Sequence, residues 1–131
     1  MSVKFNVVAR GNPSNKAAAK KFYASVVSTG KLDQNEVAQS AAEMSTLSSG
    51  DTAAAVENFL HVITRELAKG NIVQLGDFGS FWIRTESDGK ESADDVRGDS
   101  ITNVLPLFKP GKRFQQALDA IVFEKASKAG E

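Results

Sequence analysis

Three basic side chains lie close together around a Pro-Gly pair and could bind phosphate. Lys109, Lys112 and Arg113 flank Pro110-Gly111, and the apolar spacing that follows predicts that a helix opens here. Backbone amides at a helix start favour an anion, as do the positive charges themselves. The segment therefore predicts a phosphate site, and the alternative is that these side chains only solvate a helix terminus.

Catalytic and metal chemistry find little support among the residues. The chain has no cysteine, and its single histidine, His61, has no imidazole partner. The acidic residues between 86 and 99 lack the spacing of a calcium loop, and common nucleotide-binding, serine-hydrolase and zinc-protease motifs are absent. We therefore expect no enzyme, no cofactor, no metal and no small-molecule substrate.

The net charge of zero conceals two basic ends around an acidic middle. Residues 1–31 contain six basic and no acidic side chains, whereas residues 32–84 contain three basic and seven acidic ones. Residues 85–105 contain two basic against six acidic side chains, and residues 106–131 contain five against three. Basic ends favour a polyanionic partner, and solvated surface lysines are the alternative that charge alone leaves open.

Two strands and two helices are predicted in the first half of the chain. Alternating apolar residues predict strands near residues 3–7 and over residues 20–28, joined by a loop as an antiparallel pair. Asp33 is the predicted N-cap of a first helix. A second helix is capped by Ser49 or Asp51 and ends near Lys69. Its apolar stripe comprises Val56, Phe59, Leu60, Ile63 and Leu67.

A β-hairpin over residues 72–83 organises the second half of the chain. Gly76-Asp77 is its turn signal, and we expect Phe78 and Phe81 to be buried. Residues 85–104 are polar and acidic, with one helical turn predicted over residues 92–96. A strand near Phe108, a short helix and a last strand ending at Lys125 follow.

Two separated motifs resemble one known family. Lys69-Gly70-Asn71-Ile72-Val73-Gln74-Leu75, followed by Gly76-Asp77-Phe78-Gly79-Ser80-Phe81, is similar to the helix-to-hairpin segment of the HU and integration host factor family of bacterial histone-like DNA-binding proteins. Pro106-Leu107-Phe108-Lys109-Pro110-Gly111-Lys112 resembles the family's signature at the return from its DNA-binding arm, and Leu47-Ser48-Ser49-Gly50-Asp51 resembles the turn between its first two helices. The resemblance covers about two-thirds of the chain, and the flanking extensions resemble those of divergent HU-like proteins of Bacteroides.

The resemblance implies an α+β fold of HU type with additional N- and C-terminal strands. We expect a single DNA-binding domain over residues 1–131, in which residues 1–30 are an N-terminal β extension, 32–118 the HU-like core, and 119–131 a C-terminal strand and tail. The family also implies a homodimer that binds double-stranded DNA largely independently of sequence. No apolar run approaches the length of a membrane span, so we expect a cytoplasmic, nucleoid-associated protein.

This sequence departs from the family in the arm. The family's arm is rich in Arg and Lys and carries a proline that wedges between base pairs, whereas residues 85–104 are acidic and no proline lies between Pro13 and Pro106. The alternative is therefore an HU-fold protein-interaction or dimerisation module that has lost DNA bending. The residues predicted to bind DNA are Lys109, Lys112, Arg113, Arg84, Lys20 and Lys21.

Overall fold

The computed structural model describes residues 2–126, which divide into two units. The accessory unit comprises residues 2–32 and 118–126, and the core unit comprises residues 33–117. In chain order the elements are β1 (Ser2–Arg10), β2 (Lys21–Val26), α1 (Gln34–Glu43), α2 (Ser49–Ala68), β3 (Val73–Gln74), β4 (Gly79–Ser87), β5 (Ile101–Pro110), α3 (Lys112–Asp119) and β6 (Val122–Lys125).

The accessory unit is a three-stranded sheet with strand order β2-β1-β6. β1 and β2 pair antiparallel, as the sequence predicts, with Phe5 opposite Val26 and Arg10 opposite Lys21. β6 pairs parallel to β1 and places Val3 opposite Phe123. Because side chains alternate along a strand, one side of the sheet is mainly apolar and the other carries most of its charges.

Side-chain oxygens begin both helices of the core unit. Asp33 accepts a hydrogen bond of 2.8 Å from the amide of Glu36 and caps α1, as predicted. Ser48 caps α2 and accepts a hydrogen bond of 3.0 Å from the amide of Asp51. The prediction that Ser49 or Asp51 is the cap is wrong, because both residues already lie inside the helix.

The two helices contact each other but bury little by themselves. Within the part of the chain that the structure describes, one apolar residue is buried, Ala38 of α1, which is 2% exposed. On α2, Phe59 and Leu60 remain 51% and 44% exposed although they belong to the predicted apolar stripe. Much of the apolar surface that the helices present is therefore open in the single chain.

The predicted hairpin is the start of a longer ladder. β3 and β4 pair antiparallel, with Val73 opposite Phe81, across a 3-10 turn at Gly76–Phe78. β4 then pairs with β5 from Gly79 opposite Pro110 outwards, as far as Ser87 opposite Ile101. This β4–β5 ladder forms an arm, and the helical turn predicted over residues 92–96 is present as a 3-10 turn at Ala93–Asp95.

Four phenylalanine rings gather at the base of the arm. Phe108 lies with its ring centroid 4.7 Å from that of Phe81, 5.7 Å from that of Phe78 and 5.5 Å from that of Phe114. The prediction that Phe78 is buried is wrong for the single chain, because its side chain is 48% exposed. Phe81 is half-buried. The rings pack on one another, and the residues that the structure describes leave about half of Phe78 uncovered.

Candidate nucleic-acid interface

The two sides of the β4–β5 ladder face different surroundings. Strand register directs Ile83 and Pro106, which lie opposite each other, to one side, and this side lines a cavity of about 480 Å³ with Leu67 and Ala68 of α2. Alternation of side chains then places the neighbouring residues on the other side. This outer side carries Ser80, Trp82, Arg84, Leu105, Leu107 and Lys109.

Arg84 and Lys109 are exposed cations on the outer side. Lys109 of β5 lies opposite Ser80 of β4. Because Ser80 lies four residues before Arg84 on β4, the two cations are about 13 Å apart along the ladder. Neither forms an ion pair with another of the described residues. The half-buried pair Trp82 and Leu107 lies between them. Both positive charges are therefore available to an anionic ligand on this side of the ladder.

Close contact between two glycine-containing segments positions the start of α3. The Gly111 amide donates a hydrogen bond of 2.8 Å to the Phe78 carbonyl, and a Cβ at Gly111 would overlap the Asp77 carbonyl. Gly79 has φ +152, and a Cβ there would lie 2.6 Å from the Lys109 carbonyl oxygen. Only glycine fits both positions without displacement of the backbone.

This contact brings the three predicted cations to one corner of the core unit. Lys109 ends the outer side of β5, and α3 begins three residues later with Lys112 and Arg113. All three are exposed. Arg113 also lines a cavity of about 520 Å³ together with Asp77. The corner therefore presents three exposed cations that could meet phosphate.

Lys20 and Lys21 belong to the accessory unit and form a different group. Lys21 begins β2, where it lies directly opposite Arg10. The Arg10 guanidinium in turn lies 5.9 Å from the ring centroid of Tyr23. Arg10 was not among the residues predicted to bind DNA. The strand register that sets it opposite Lys21 would have indicated it, but sequence periodicity does not determine that register.

The acidic end of the arm is closed by a compact turn. The Asp88 amide donates a hydrogen bond of 2.8 Å to the Ser100 carbonyl, and the Arg97 amide donates one of 3.1 Å to the Ser100 hydroxyl. Ser100 is 2% exposed, so it forms the centre of this turn. The carboxylates around it are exposed, and no group of three or more potential ligands is close enough to hold a metal ion within residues 2–126.

One carboxyl group in the accessory unit has a perturbed pKa. Hydrogen bonds from Lys4 and Ser2, together with the Lys4 charge, lower the pKa of Glu124 below its ordinary value. The Lys4 ammonium lies 2.8 Å from Glu124. Lys4 is therefore neutralised locally, unlike the cations at the other end of the sheet. Among residues 2–126, no helix is both long and apolar enough to cross a membrane.

Comparison with protein families identifies one that spans almost the whole chain. A family model described as "HU domain fused to wHTH, Ig, or Glycine-rich motif" matches residues 1–125. Over 90 residues the chain is 33% identical to DNA-binding protein HU of Geobacillus stearothermophilus, an alignment that covers 66% of this chain and 99% of that protein. It is 32% identical over 92 residues to DNA-binding protein HU-1 of Halalkalibacterium halodurans, covering 67% and 100%.

Two solved structures resemble the fold of the chain. A cocrystal structure of Anabaena HU with DNA aligns with a TM-score of 0.55 at 20% identity, covering 68% of this chain and 99% of that one. The crystal structure of a Bacteroides vulgatus protein, provisionally described as a bacterial DNA-binding protein, aligns with a TM-score of 0.68 at 13% identity. It covers 99% of this chain, which spans half the length of that protein. The second alignment therefore includes the accessory strands as well as the core unit.

Proposed function

The chain belongs to the HU family, and we propose that it binds double-stranded DNA as a non-enzymatic homodimer with little sequence preference. The observation that carries the proposal is the pair of exposed cations on the outer side of the ladder, Arg84 and Lys109, which form no ion pair with the other described residues. Lys112 adds a third charge at the adjoining start of α3. The whole chain acts in this proposal as one nucleoid-associated, cytoplasmic DNA-binding domain.

Phosphate contacts supply most of the affinity in this proposal. Arg84, Lys109 and Lys112 present positive charge without a fixed pattern of donors and acceptors that could distinguish base pairs. The exposed carboxylates at the end of the arm repel the DNA backbone, so contacts by the core unit are few. A small number of neutralised phosphates makes the affinity depend only weakly on salt for this unit.

A homodimer accounts for the apolar surface that the single chain leaves open. Phe59, Leu60 and Phe78 contribute large exposed apolar side chains in the core unit. A second copy that covers them would complete the core around the phenylalanine rings.

A protein-interaction module is the second candidate, and the outer side of the ladder gives it specific support. Trp82 and Leu107 lie there between the two cations, and Leu105 lies opposite Arg84. All three are half-buried rather than fully covered. Aromatic and aliphatic side chains beside arginine are common at protein interfaces. In that case the acidic arm would meet a basic protein partner and not DNA.

Titration of fluorescent duplex DNA with the full chain tests the proposal. Two duplexes of unrelated sequence should bind with affinities within a few-fold of each other, and both affinities should fall as salt rises. Strong preference for one duplex would contradict sequence-independent binding. Absence of binding at low salt would instead support the protein-interaction module.

A further inference from the structure

The charges of the chain are segregated between its two units. Residues 2–32 and 118–126 contain seven basic and two acidic side chains, a net charge of +5. Residues 33–117 contain eight basic and thirteen acidic side chains, a net charge of −5. The strand extension, and not the unit with the arm, therefore carries the excess of positive charge that a polyanion attracts.

Two of the accessory cations are held directly opposite each other. Arg10 at the end of β1 and Lys21 at the start of β2 are partners in the antiparallel register, so they lie on the same side of the sheet. Like charges opposite each other on neighbouring strands destabilise a sheet. Lys20 precedes Lys21 and adds a further exposed charge at this end. An anion bound here would relieve the repulsion.

Carboxylates of the described residues do not neutralise this end of the sheet. Among residues 2–126 the ion pairs join Lys4 to Glu124, Arg65 to Glu66 and Lys69 to Glu66, and none includes Arg10, Lys16, Lys20 or Lys21. Glu124 already accepts a hydrogen bond of 2.7 Å from the Ser2 hydroxyl and pairs with the Lys4 ammonium at 2.8 Å. The Arg10 guanidinium lies against the Tyr23 ring, which restrains it but leaves its charge in place.

The loop between β1 and β2 gives these cations a defined frame. Asn12 accepts a hydrogen bond of 2.9 Å from the Ser14 amide through its side chain, and Asn15 accepts one of 3.1 Å from the Ala17 amide. These Asx turns fold the loop back on itself without help from another element. Lys16 lies inside the second turn, and Lys20 lies directly before β2 begins.

Two adjoining cavities at this loop collect all four cations. One, of about 260 Å³, is lined by Arg10 and Lys21 beside the Tyr23 ring. The other, of about 590 Å³, is lined by Arg10 together with Lys16 and Lys20. Arg10 is shared between them, and the residues that line the two cavities include no aspartate or glutamate. The loop end of the accessory sheet is therefore concave and uniformly basic.

We propose that Arg10, Lys16, Lys20 and Lys21 form a site for the phosphate backbone of duplex DNA, and that this site contributes more of the salt-dependent affinity than the core unit does. The inference rests on the proposed DNA-binding function and adds that the accessory sheet supplies most of the positive charge that contacts DNA. The accessory sheet then performs the electrostatic role for which the acidic arm is unsuited. Groups that contact phosphate position the protein and carry no sequence information, which fits binding with little sequence preference.

A salt series with matched charge variants tests the site. The loop variant combines Arg10→Ala, Lys16→Ala, Lys20→Ala and Lys21→Ala. The control combines Lys31→Ala, Arg65→Ala, Lys69→Ala and Lys90→Ala, which removes the same number of positive charges elsewhere. A third variant keeps the charges through Arg10→Lys, Lys16→Arg, Lys20→Arg and Lys21→Arg. Circular dichroism and thermal melts establish that each variant is folded.

The loop variant should show a weaker salt dependence as well as a lower affinity. Each neutralised phosphate contributes about 0.9 to the slope of log affinity against log salt. If each of the four side chains neutralises one phosphate, wild-type affinity should fall roughly 100-fold more than that of the loop variant between 50 and 200 mM salt. The control and the charge-retaining variant should keep a slope close to that of the wild type.

Failure of this site can be separated from failure of the proposed function. If wild type binds DNA and the loop variant has the same slope, the site is wrong and DNA binding stands. If the control loses as much as the loop variant, net charge and not this site determines affinity, and the inference is again overturned. If wild type does not bind duplex DNA at low salt, both the function and the site are wrong.

Discussion

The amide of Gly111 donates a hydrogen bond of 2.8 Å to the carbonyl of Phe78, so two segments 33 positions apart in the sequence meet backbone to backbone. One segment ends the 3-10 turn that precedes β4, and the other connects β5 to α3. They are the two motifs that carry the resemblance to the HU family. Their glycines permit a contact that places Lys112 and Arg113 beside Lys109.

Gly111→Ala should destabilise the protein by about 1–3 kcal/mol, the usual cost of forcing extra atoms into a close-packed site. The new Cβ would overlap the Asp77 carbonyl, which belongs to the backbone and has little freedom to move. Thermal unfolding measures the effect. Gly89→Ala is the control, because no atom lies within 4 Å of a Cβ built there. Equal melting temperatures for the two variants would contradict the close contact.

Phe81→Ala should destabilise the protein by about 3 kcal/mol, as for other truncations of packed phenylalanines. The ring centroid lies 4.7 Å from that of Phe108, and the side chain is half-buried in the single chain. Denaturant unfolding provides the measurement. Phe22→Ala is the matched control, since Phe22 is 72% exposed and should change stability little. An effect of Phe81→Ala no larger than that of Phe22→Ala would place the phenylalanine cluster outside the stabilising core.

Light scattering at micromolar concentration should give a mass of about twice 14.0 kDa, because in the proposed homodimer a second copy covers the open apolar surface of the core unit. Phe59 is 51% exposed in the single chain, and the proposed second copy would cover it. Phe59→Asp would then bury a charge and should lower this mass or unfold the chain. Phe22→Asp serves as the control in the accessory unit. A wild-type mass of one chain would contradict the homodimer.

The variant Lys109→Ala/Lys112→Ala/Arg113→Ala should bind duplex DNA more weakly than wild type, because it removes the cations gathered at the start of α3. Lys90→Ala should have little effect, since Lys90 belongs to the acidic arm. Titration of fluorescent duplex across a salt series compares the two. If the triple variant retains wild-type affinity, these residues do not contact DNA.

Acid should loosen β6 before it affects the rest of the chain. The pKa of Glu124 is lowered by its hydrogen bonds to Lys4 and Ser2, so the stability that this carboxylate contributes is present above its ordinary pKa of 4.5 and is lost as pH falls through the lower folded value. Hydrogen exchange of the β6 amides, compared between wild type and Glu124→Gln at equal pH, reports this. Wild type should be better protected at pH 6, and the difference should shrink as pH falls below 4.5. A difference that does not shrink in acid would contradict the role of the ionised carboxylate.

Local chemistry in the sequence was enough to predict the elements, and the resemblance to the HU family implied the fold class. The Asp33 cap, the end of α2 near Lys69, the hairpin and the last strand are all present, because capping groups, apolar periodicity and glycines act over a few residues. The α+β fold of HU type with additional terminal strands is confirmed by the elements of the structure and by its similarity to the two solved structures. The Ser48 cap was missed because Ser48, Ser49 and Asp51 can each cap a helix and only the backbone geometry decides among them.

What the sequence could not determine depends on contacts between distant segments. The register that sets Arg10 against Lys21, and the two sides of the β4–β5 ladder, follow from strand pairing, in which a shift of one residue reverses every side chain. The exposure of Phe78 likewise depends on what packs over the rings, and an apolar side chain in the sequence does not indicate which surface covers it. Sequence therefore determined which residues carry charge and which are apolar, whereas the tertiary structure decided which of them meet, because pairing and packing join residues that lie far apart in the chain.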